Sequence, residues 1–96
     1  MGKKDILNKK YRQAADVLKA IAHPTRIKIL EVLLQDEGCV RQLEACLKKR
    51  QANISQHLAV LRKAGLVDFT EEGKERCYFL KDTARVKKIF SCLRNY

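Results

Sequence analysis

The stretch from residue 50 to residue 67 constrains the fold more than any other part of the chain. Its apolar residues recur at helical spacing, at Ile54, Leu58 and Leu61, and Gly65 then provides the usual signal for the end of a helix. Directly after Gly65 the pattern changes to the alternation of period two that is typical of strands. The sequence therefore predicts a short amphipathic helix that runs straight into a strand.

The face of this helix opposite its apolar side is small, uncharged at its start and rich in amide and hydroxyl groups. Such groups can hydrogen-bond to base edges, and small neighbours let a helix lie deep in a major groove. The alternative interpretation is an ordinary surface helix of a helical domain. The side chains on this face are Gln51, Ala52, Ser55, Gln56, Ala59 and Lys63.

The charge of the chain favours a polyanionic partner. Its 96 residues include 21 Lys and Arg against 11 Asp and Glu, which gives a formal net charge of +10. Basic blocks at residues 48–50 and 62–63 flank the polar-faced helix. No predicted helix pairs a basic face with exposed large apolar residues, so nucleic acid is favoured over a membrane surface. The alternative is that the positive charge only improves solubility.

The length predicts a single domain over residues 1–96 with a modest core. No apolar run approaches the roughly 20 residues that a membrane span requires. Residues 1–10 carry charges but no apolar block of signal-peptide length. We therefore expect a cytoplasmic protein with no membrane partner.

Three helices are predicted before the polar-faced one. An apolar stripe covers residues 5–22, Pro24 ends that helix and opens the next one over residues 24–35, and a short third helix covers about residues 40–48. A short helix, a tight basic turn and a polar-faced second helix together predict a helix-turn-helix over about residues 40–64.

A wing and a last helix are predicted after it. Two strand-like runs flank Gly73, which predicts a β-hairpin over about residues 66–80. Its tip carries Lys74 and Arg76, which could reach phosphate or the minor groove. The last helix is predicted over about residues 82–94. The expected fold class is mainly α with a small β-hairpin: a winged helix-turn-helix with five helices and one wing.

The first and last helices predict a homodimer. Both the helix over residues 5–22 and the helix over residues 82–94 carry an apolar stripe, and a domain of this size has little core with which to cover both. We expect these dimerisation helices to pack against a second copy of the chain. A symmetric dimer also suits palindromic half-sites in double-stranded operator DNA.

At this point the sequence resembles the ArsR/SmtB family of winged-helix repressors over about residues 15–82. The segments that carry the resemblance are residues 18–30, residues 54–67, and residues 72–74 with Tyr78. The resemblance implies a homodimeric repressor that releases its operator when a metal ion, a metalloid or a thiol-reactive species binds. It places base contacts at Gln51, Ala52, Ser55 and Gln56, to which we add the basic residues Arg50, Lys63, Lys74 and Arg76. His57 lies on the apolar side, where packing or a backbone partner is expected.

The inducer site departs from the family pattern. Family members with a metal site on the third helix carry Cys-Val-Cys, whereas here Cys39 is kept and Arg41 replaces the second cysteine. Members with zinc on the last helix use histidines, but the only histidines here are His23 and His57. A zinc site is therefore not expected. Arsenite or a soft metal ion bound by cysteine stays open, and the metal ligands are unknown.

Four cysteines are candidates for a sensor. In the cytosol they should be mostly reduced, so a structural disulfide framework is not expected. We expect Cys46 to be buried packing and Cys77 to be structural. Some relatives sense persulfides or oxidants with a cysteine on the last helix, which makes Cys39 with Cys92 the analogous inducer-sensing pair here. The alternative is that all four cysteines only pack.

The leading function is a sequence-specific DNA-binding transcriptional repressor with thiol-based sensing of a metalloid, a soft metal or a reactive sulfur or oxidant species. One alternative is a basic architectural DNA-binding protein with no inducer. Another is a protein-interaction module whose winged helix binds no DNA. An enzyme is not expected, because no glycine-rich phosphate loop, nucleophile–base pair or carboxylate pair is visible.

Overall fold

The computed structural model describes residues 8–93. This range holds five helices and three strands, and the five helices and the hairpin wing expected from the sequence are confirmed. The ends of the first and last predicted helices, residues 5–7 and residue 94, lie outside the described residues. In chain order the elements are α1 Lys9–Ile21, α2 Pro24–Gln35, β1 Gly38–Cys39, α3 Val40–Leu47, α4 Gln51–Lys63, β2 Val67–Glu72, β3 Glu75–Leu80 and α5 Thr83–Ser91.

The boundary between α1 and α2 is built by a histidine and a proline. His23 is the N-cap of α2, and its Nδ1 accepts a hydrogen bond from the backbone N–H of Thr25 at 3.1 Å. Pro24 follows as the first residue of the helix, where its missing N–H costs nothing. The predicted start of the second helix is therefore confirmed, with the histidine side chain replacing the more usual Ser or Asp cap.

The core lies where the helices meet the sheet. Burial of an aliphatic side chain contributes about 1.5–3 kcal/mol, so the core residues supply most of the stability. The apolar side of α4 enters this core as its spacing predicted. The largest fully buried side chains are Ile29, Leu30, Leu43, Ile54, Leu58, Leu61, Leu66, Val67 and Val86.

The sheet is antiparallel with the strand order β1-β3-β2. The hairpin pairs β2 with β3, and Gly73 has a φ of +66° in its turn, as expected. The strand β1 was not predicted, because residues 36–38 were interpreted as a turn only. A strand of two residues has no alternation for sequence analysis to detect. It pairs with β3 so that Cys39 lies opposite Cys77.

Two tight turns position α4. Lys48 ends α3 with a φ of +56°, in the left-handed region that costs an ordinary residue roughly 1–2 kcal/mol. Gly65 has a φ of +82° after α4, and the N–H of Leu66 then donates to the carbonyl of Leu61 at 3.0 Å. The chain thus passes from α4 into β2 within three residues, and the hairpin is held beside the exposed face of the helix.

No helix in residues 8–93 has the length and apolarity that crossing a membrane would require.

Candidate nucleic-acid interface

A cleft of about 480 Å³ separates the helix-turn-helix from the hairpin. One wall is formed by α3 and α4, and the other by β2 and β3 with their turn. Polar and charged side chains dominate both walls, with three arginines and one lysine against two glutamates. The lining residues are Val40, Arg41, Glu44, Gln51, Ser55, Ala59, Arg62, Phe69, Lys74, Glu75, Arg76 and Tyr78.

Four of the residues expected to bind DNA line this cleft together. Gln51 and Ser55 lie one helical turn apart on α4, and Lys74 and Arg76 face them from the wing. The helix and the wing therefore present amide, hydroxyl and cationic groups to the same space. The other four predicted residues are exposed but do not line the cleft: Arg50, Ala52, Gln56 and Lys63.

Phe69 organises two arginines at the base of the cleft. The guanidinium carbon of Arg62, from α4, lies 4.6 Å from the centre of the Phe69 ring, and that of Arg76, from β3, lies 4.4 Å from it. The ring of Tyr78 packs against the same phenylalanine at 5.2 Å. Arginine attraction to an aromatic face contributes about 0.5–1 kcal/mol at exposed sites. Neither Phe69 nor Arg62 was among the predicted site residues, because Phe69 stands between Asp68 and Thr70 in the sequence and no basic neighbour marks it.

Carboxylates fix the direction of these arginines. Asp68 accepts hydrogen bonds from its neighbour's backbone N–H, at Phe69, and from Arg62 Nε, each at 2.9 Å. The backbone N–H and then the arginine lower the pKa of the Asp68 carboxyl, so it stays ionised and keeps its partner. Glu71 lies 3.6 Å from Arg76 Nε. Both pairs are exposed, so they orient the arginines more than they stabilise the fold.

A second polar cluster joins α4 to the corner between α1 and α2. Arg26 Nε donates to His57 Nδ1 at 3.0 Å, and another nitrogen of the same guanidinium donates to the carbonyl of Ala20 at 3.2 Å. The rings of His23 and His57 lie 4.4 Å apart. Burial first, and then the nearby charges of His23, Arg26 and Lys49, lower the pKa of His57. The neutral imidazole can therefore accept from Arg26 at neutral pH.

This cluster shows which group the His57 side chain binds. Packing or a backbone partner was expected, and the partner is instead the Arg26 side chain. The sequence could not show this pairing, because 31 positions separate the two residues.

The cysteines differ from expectation in three ways. Cys39 and Cys77 form a disulfide, which corrects the prediction of reduced cysteines without a structural bridge. The partner of Cys39 is thus Cys77 rather than Cys92, because the strand pairing that aligns them depends on the unpredicted β1. Cys46 is exposed, which corrects its predicted burial, since α3 buries only Leu43 fully. Cys92 is a free, exposed thiol at the end of α5, and its sensing role stays a prediction.

The described part of the chain does not fit a metal ion. Among residues 8–93, no group of three or more His, Cys, Asp or Glu side chains could hold one. Two of the four thiols are joined to each other and are not available as thiolate ligands in this form.

An apolar face of α1 is not covered by the rest of the described chain. Tyr11 and Leu18 lie on the predicted stripe of this helix and are 54% and 59% exposed. Ile21, which was predicted to lie on the same stripe, is instead buried in the core of its own chain together with its neighbours Val17 and Ala20. The stripe of α5 differs, because its Val86 is fully buried in the core of the same chain. The face of α1 is thus the larger candidate contact surface.

A helix-turn-helix with a hairpin beside its second helix defines a winged helix-turn-helix protein. A family model described as "Bacterial regulatory protein, arsR family" matches residues 23–68. An HTH-type transcriptional regulator of Methanocaldococcus jannaschii is 43% identical over 81 residues, covering 83% of this chain and 90% of the relative. The biofilm growth-associated repressor of Agrobacterium fabrum is 40% identical over 83 residues, covering 86% of this chain and 71% of the repressor.

A solved structure of a possible member of this family has the same fold. The homodimeric winged helix-turn-helix DNA-binding domain of a possible ArsR-family regulator from Mycobacterium bovis superposes with a TM-score of 0.78 at 28% identity, covering 97% of this chain and 82% of that one. The chain belongs to the arsR family of bacterial regulatory proteins. This family consists of DNA-binding transcriptional regulators, so the comparisons confirm that the chain is not an enzyme.

Proposed function

We propose that this chain is a cytoplasmic, homodimeric, sequence-specific transcriptional repressor that releases its operator in response to thiol-based sensing. The observation that carries the DNA-binding part is the cleft in which Gln51 and Ser55 of α4 face Lys74 and Arg76 of the wing. Amide and hydroxyl groups discriminate bases, whereas cations bind phosphate without sequence preference. A cleft that holds both kinds of group suits a protein that discriminates bases and also binds the phosphate backbone.

The repressor assignment is supported by similarity to a named repressor and by the architecture of the site. The Agrobacterium fabrum relative is a repressor by name. A protein that fills a major groove with α4 and an adjoining groove with its wing occupies DNA that other proteins would need. Repression by occlusion then requires tight binding and a signal for release.

The homodimer is supported by the exposed face of α1. Tyr11 and Leu18 form an exposed apolar surface on α1, and the same surface of a second copy can pack against it. The similar Mycobacterium bovis domain is homodimeric. Two copies related by a two-fold axis would present two α4 helices to the two halves of a palindromic site.

The inducer-sensing residues predicted from the sequence are Cys39 and Cys92. Cys39 is the residue before α3, so a chemical change at its sulfur would alter the start of the helix-turn-helix. Cys92 is an exposed thiol at the end of α5. The lack of a three-ligand cluster in residues 8–93 favours reactive sulfur species over cadmium, and arsenite bound by cysteines is the other candidate.

Base reading is tested on a duplex that the protein itself selects from a random-sequence library. Gln51→Ala and Gln56→Ala should each weaken binding to this duplex by about 1–3 kcal/mol and leave binding to random DNA nearly unchanged. Gln35→Ala is the matched control, because Gln35 is an exposed glutamine at the end of α2. Equal losses on both duplexes would contradict base reading and favour the architectural alternative.

Inducer sensing is tested on the same duplex by titration with arsenite, cadmium and an organic persulfide. The wild-type protein should release DNA with at least one of them, and single Cys→Ser variants at the four cysteines identify the thiols involved. A wild-type protein that never responds would refute thiol-based sensing and leave DNA binding intact.

A further inference from the structure

The Cys39–Cys77 bond connects the two walls of the DNA-binding cleft. Cys39 is the N-cap residue of α3, and Cys77 lies in β3, the middle strand of the sheet, which begins directly after the wing turn. The two residues are directly opposite each other in the register of β1 and β3, with Cα atoms 3.7 Å apart and 38 positions between them in sequence. The bond therefore ties the helix-turn-helix covalently to the wing.

The interactions that surround the bond are weak by comparison. The strand β1 contributes only two residue pairs to the sheet. Beside it, Arg41 Nε and Glu75 Oε1 lie 3.9 Å apart, and the arginine side chain is 82% exposed. An exposed pair at this distance contributes little. The disulfide is thus the strongest single link between the start of α3 and the wing strand.

The two sulfurs differ in access. Cys39 is half-buried, whereas Cys77 is only 3% exposed. An incoming thiolate therefore meets the sulfur of Cys39 first. Cys46 and Cys92 are exposed and unbonded, and none of the four cysteines lines the cleft itself.

We propose that Cys39 and Cys77 form a redox site for low-molecular-weight thiols and disulfides, and that its oxidised form binds operator DNA more tightly. This inference rests on the proposed function and names the site through which sulfur chemistry acts. The oxidised site holds Lys74 and Arg76 across the cleft from α4 before DNA arrives. Pre-organised groups bind more tightly because binding no longer has to order them.

The chemistry is a thiol–disulfide exchange. A thiolate RS⁻ attacks Cys39 Sγ, the bond to Cys77 breaks, and the Cys77 sulfur leaves with the electron pair and takes a proton. A second RS⁻ attacks the sulfur of R in the mixed disulfide and releases the Cys39 thiolate. In total, two RSH are oxidised to RSSR and the protein disulfide is reduced to two thiols; an excess of RSSR reverses every step.

The test compares the two redox states of the protein with reduced and oxidised glutathione as the reactants. Mass spectrometry of alkylated peptides reports whether Cys39 and Cys77 are bonded, and fluorescence anisotropy reports affinity for the selected duplex. The oxidised wild-type protein should bind at least about 5-fold more tightly than the reduced one, at the low end of known couplings between sites. Cys39→Ser and Cys77→Ala should bind equally under both conditions, at the level of the reduced protein.

Cys46→Ser is the matched control, because Cys46 is an exposed, unbonded cysteine with no proposed role, and it should keep the whole redox response. Loss of the response in this control, or its survival in Cys39→Ser, would overturn the assignment. Equal or weaker binding by the oxidised wild-type protein would overturn it too, while the proposed DNA binding stands. If neither redox state binds any duplex, the proposed function fails and takes this inference with it. Melting temperatures show whether each variant folds.

Discussion

Replacing Phe69 with leucine should weaken DNA binding without removing a single charge. The ring holds the guanidinium groups of Arg62 and Arg76 at 4.6 and 4.4 Å from its centre. Leucine keeps the apolar bulk but has no π face, so both arginines lose the contact that restrains them. The protein must then order these side chains when it binds DNA.

The size of the effect follows from the two contacts. Each contact contributes about 0.5–1 kcal/mol at an exposed site. The loss of binding free energy on replacing Phe69 is therefore at most about 1–2 kcal/mol, because the two arginines must then be ordered on binding. This range corresponds to roughly a 5- to 30-fold increase in Kd. We expect the loss on the selected duplex and on random DNA alike, because in the proposed complex both arginines bind phosphate, which carries no sequence information.

The assay is anisotropy at several salt concentrations. Phe69→Leu should leave the slope of log K against log salt unchanged, whereas Arg76→Ala should reduce it by about 0.9 because one phosphate contact is lost. Phe79→Leu is the control, since Phe79 lies in the same hairpin but alternation turns it to the opposite face. Equal losses for Phe69→Leu and Phe79→Leu, or no loss for Phe69→Leu, would refute the positioning role.

Three further predictions concern charge, assembly and pH. Lys74→Ala should weaken binding to all duplexes alike and reduce the salt slope by about one, and a sequence-dependent loss would argue against a phosphate contact. Leu18→Glu should give a folded monomer in sedimentation, because an unpaired charge in an apolar interface is costly, while Gln13→Glu, on another side of α1, should stay dimeric. Burial first lowers the pKa of His57 from its ordinary value of 6.5, so the unfolded chain binds this proton more readily than the folded one. The stability from this group is therefore complete above about pH 6.5 and is lost as the pH falls through the lower folded pKa; urea titrations should show a smaller pH dependence for His57→Gln.

The parts of the fold that sequence analysis predicted are those encoded by local patterns. The core side of α4 was visible because Ile54, Leu58 and Leu61 repeat at helical spacing over 13 residues. The start of α2 was visible because proline has one favourable place in a helix. Gly73 marked the turn of the wing because glycine readily adopts the positive φ that this turn requires.

The parts that it missed depend on contacts between distant residues. Nothing near Cys39 shows that Cys77 lies opposite, because that pairing is created by a strand of two residues. The partner of His57 is Arg26, which lies on another helix. Sequence analysis did identify the basic residues at the end of α4, but it selected Lys63, and the structure places Arg62 on the aromatic ring.

The hydrogen bonds of Arg26 have a mechanical consequence. One guanidinium, carried by α2, donates both to a carbonyl of α1 and to an imidazole of α4. In the proposed dimer, α1 meets its counterpart while α4 enters the DNA. A small rotation of one α1 against the other would therefore be transmitted to both α4 helices through these hydrogen bonds, and the distance between the two half-sites that the dimer can span would change with it.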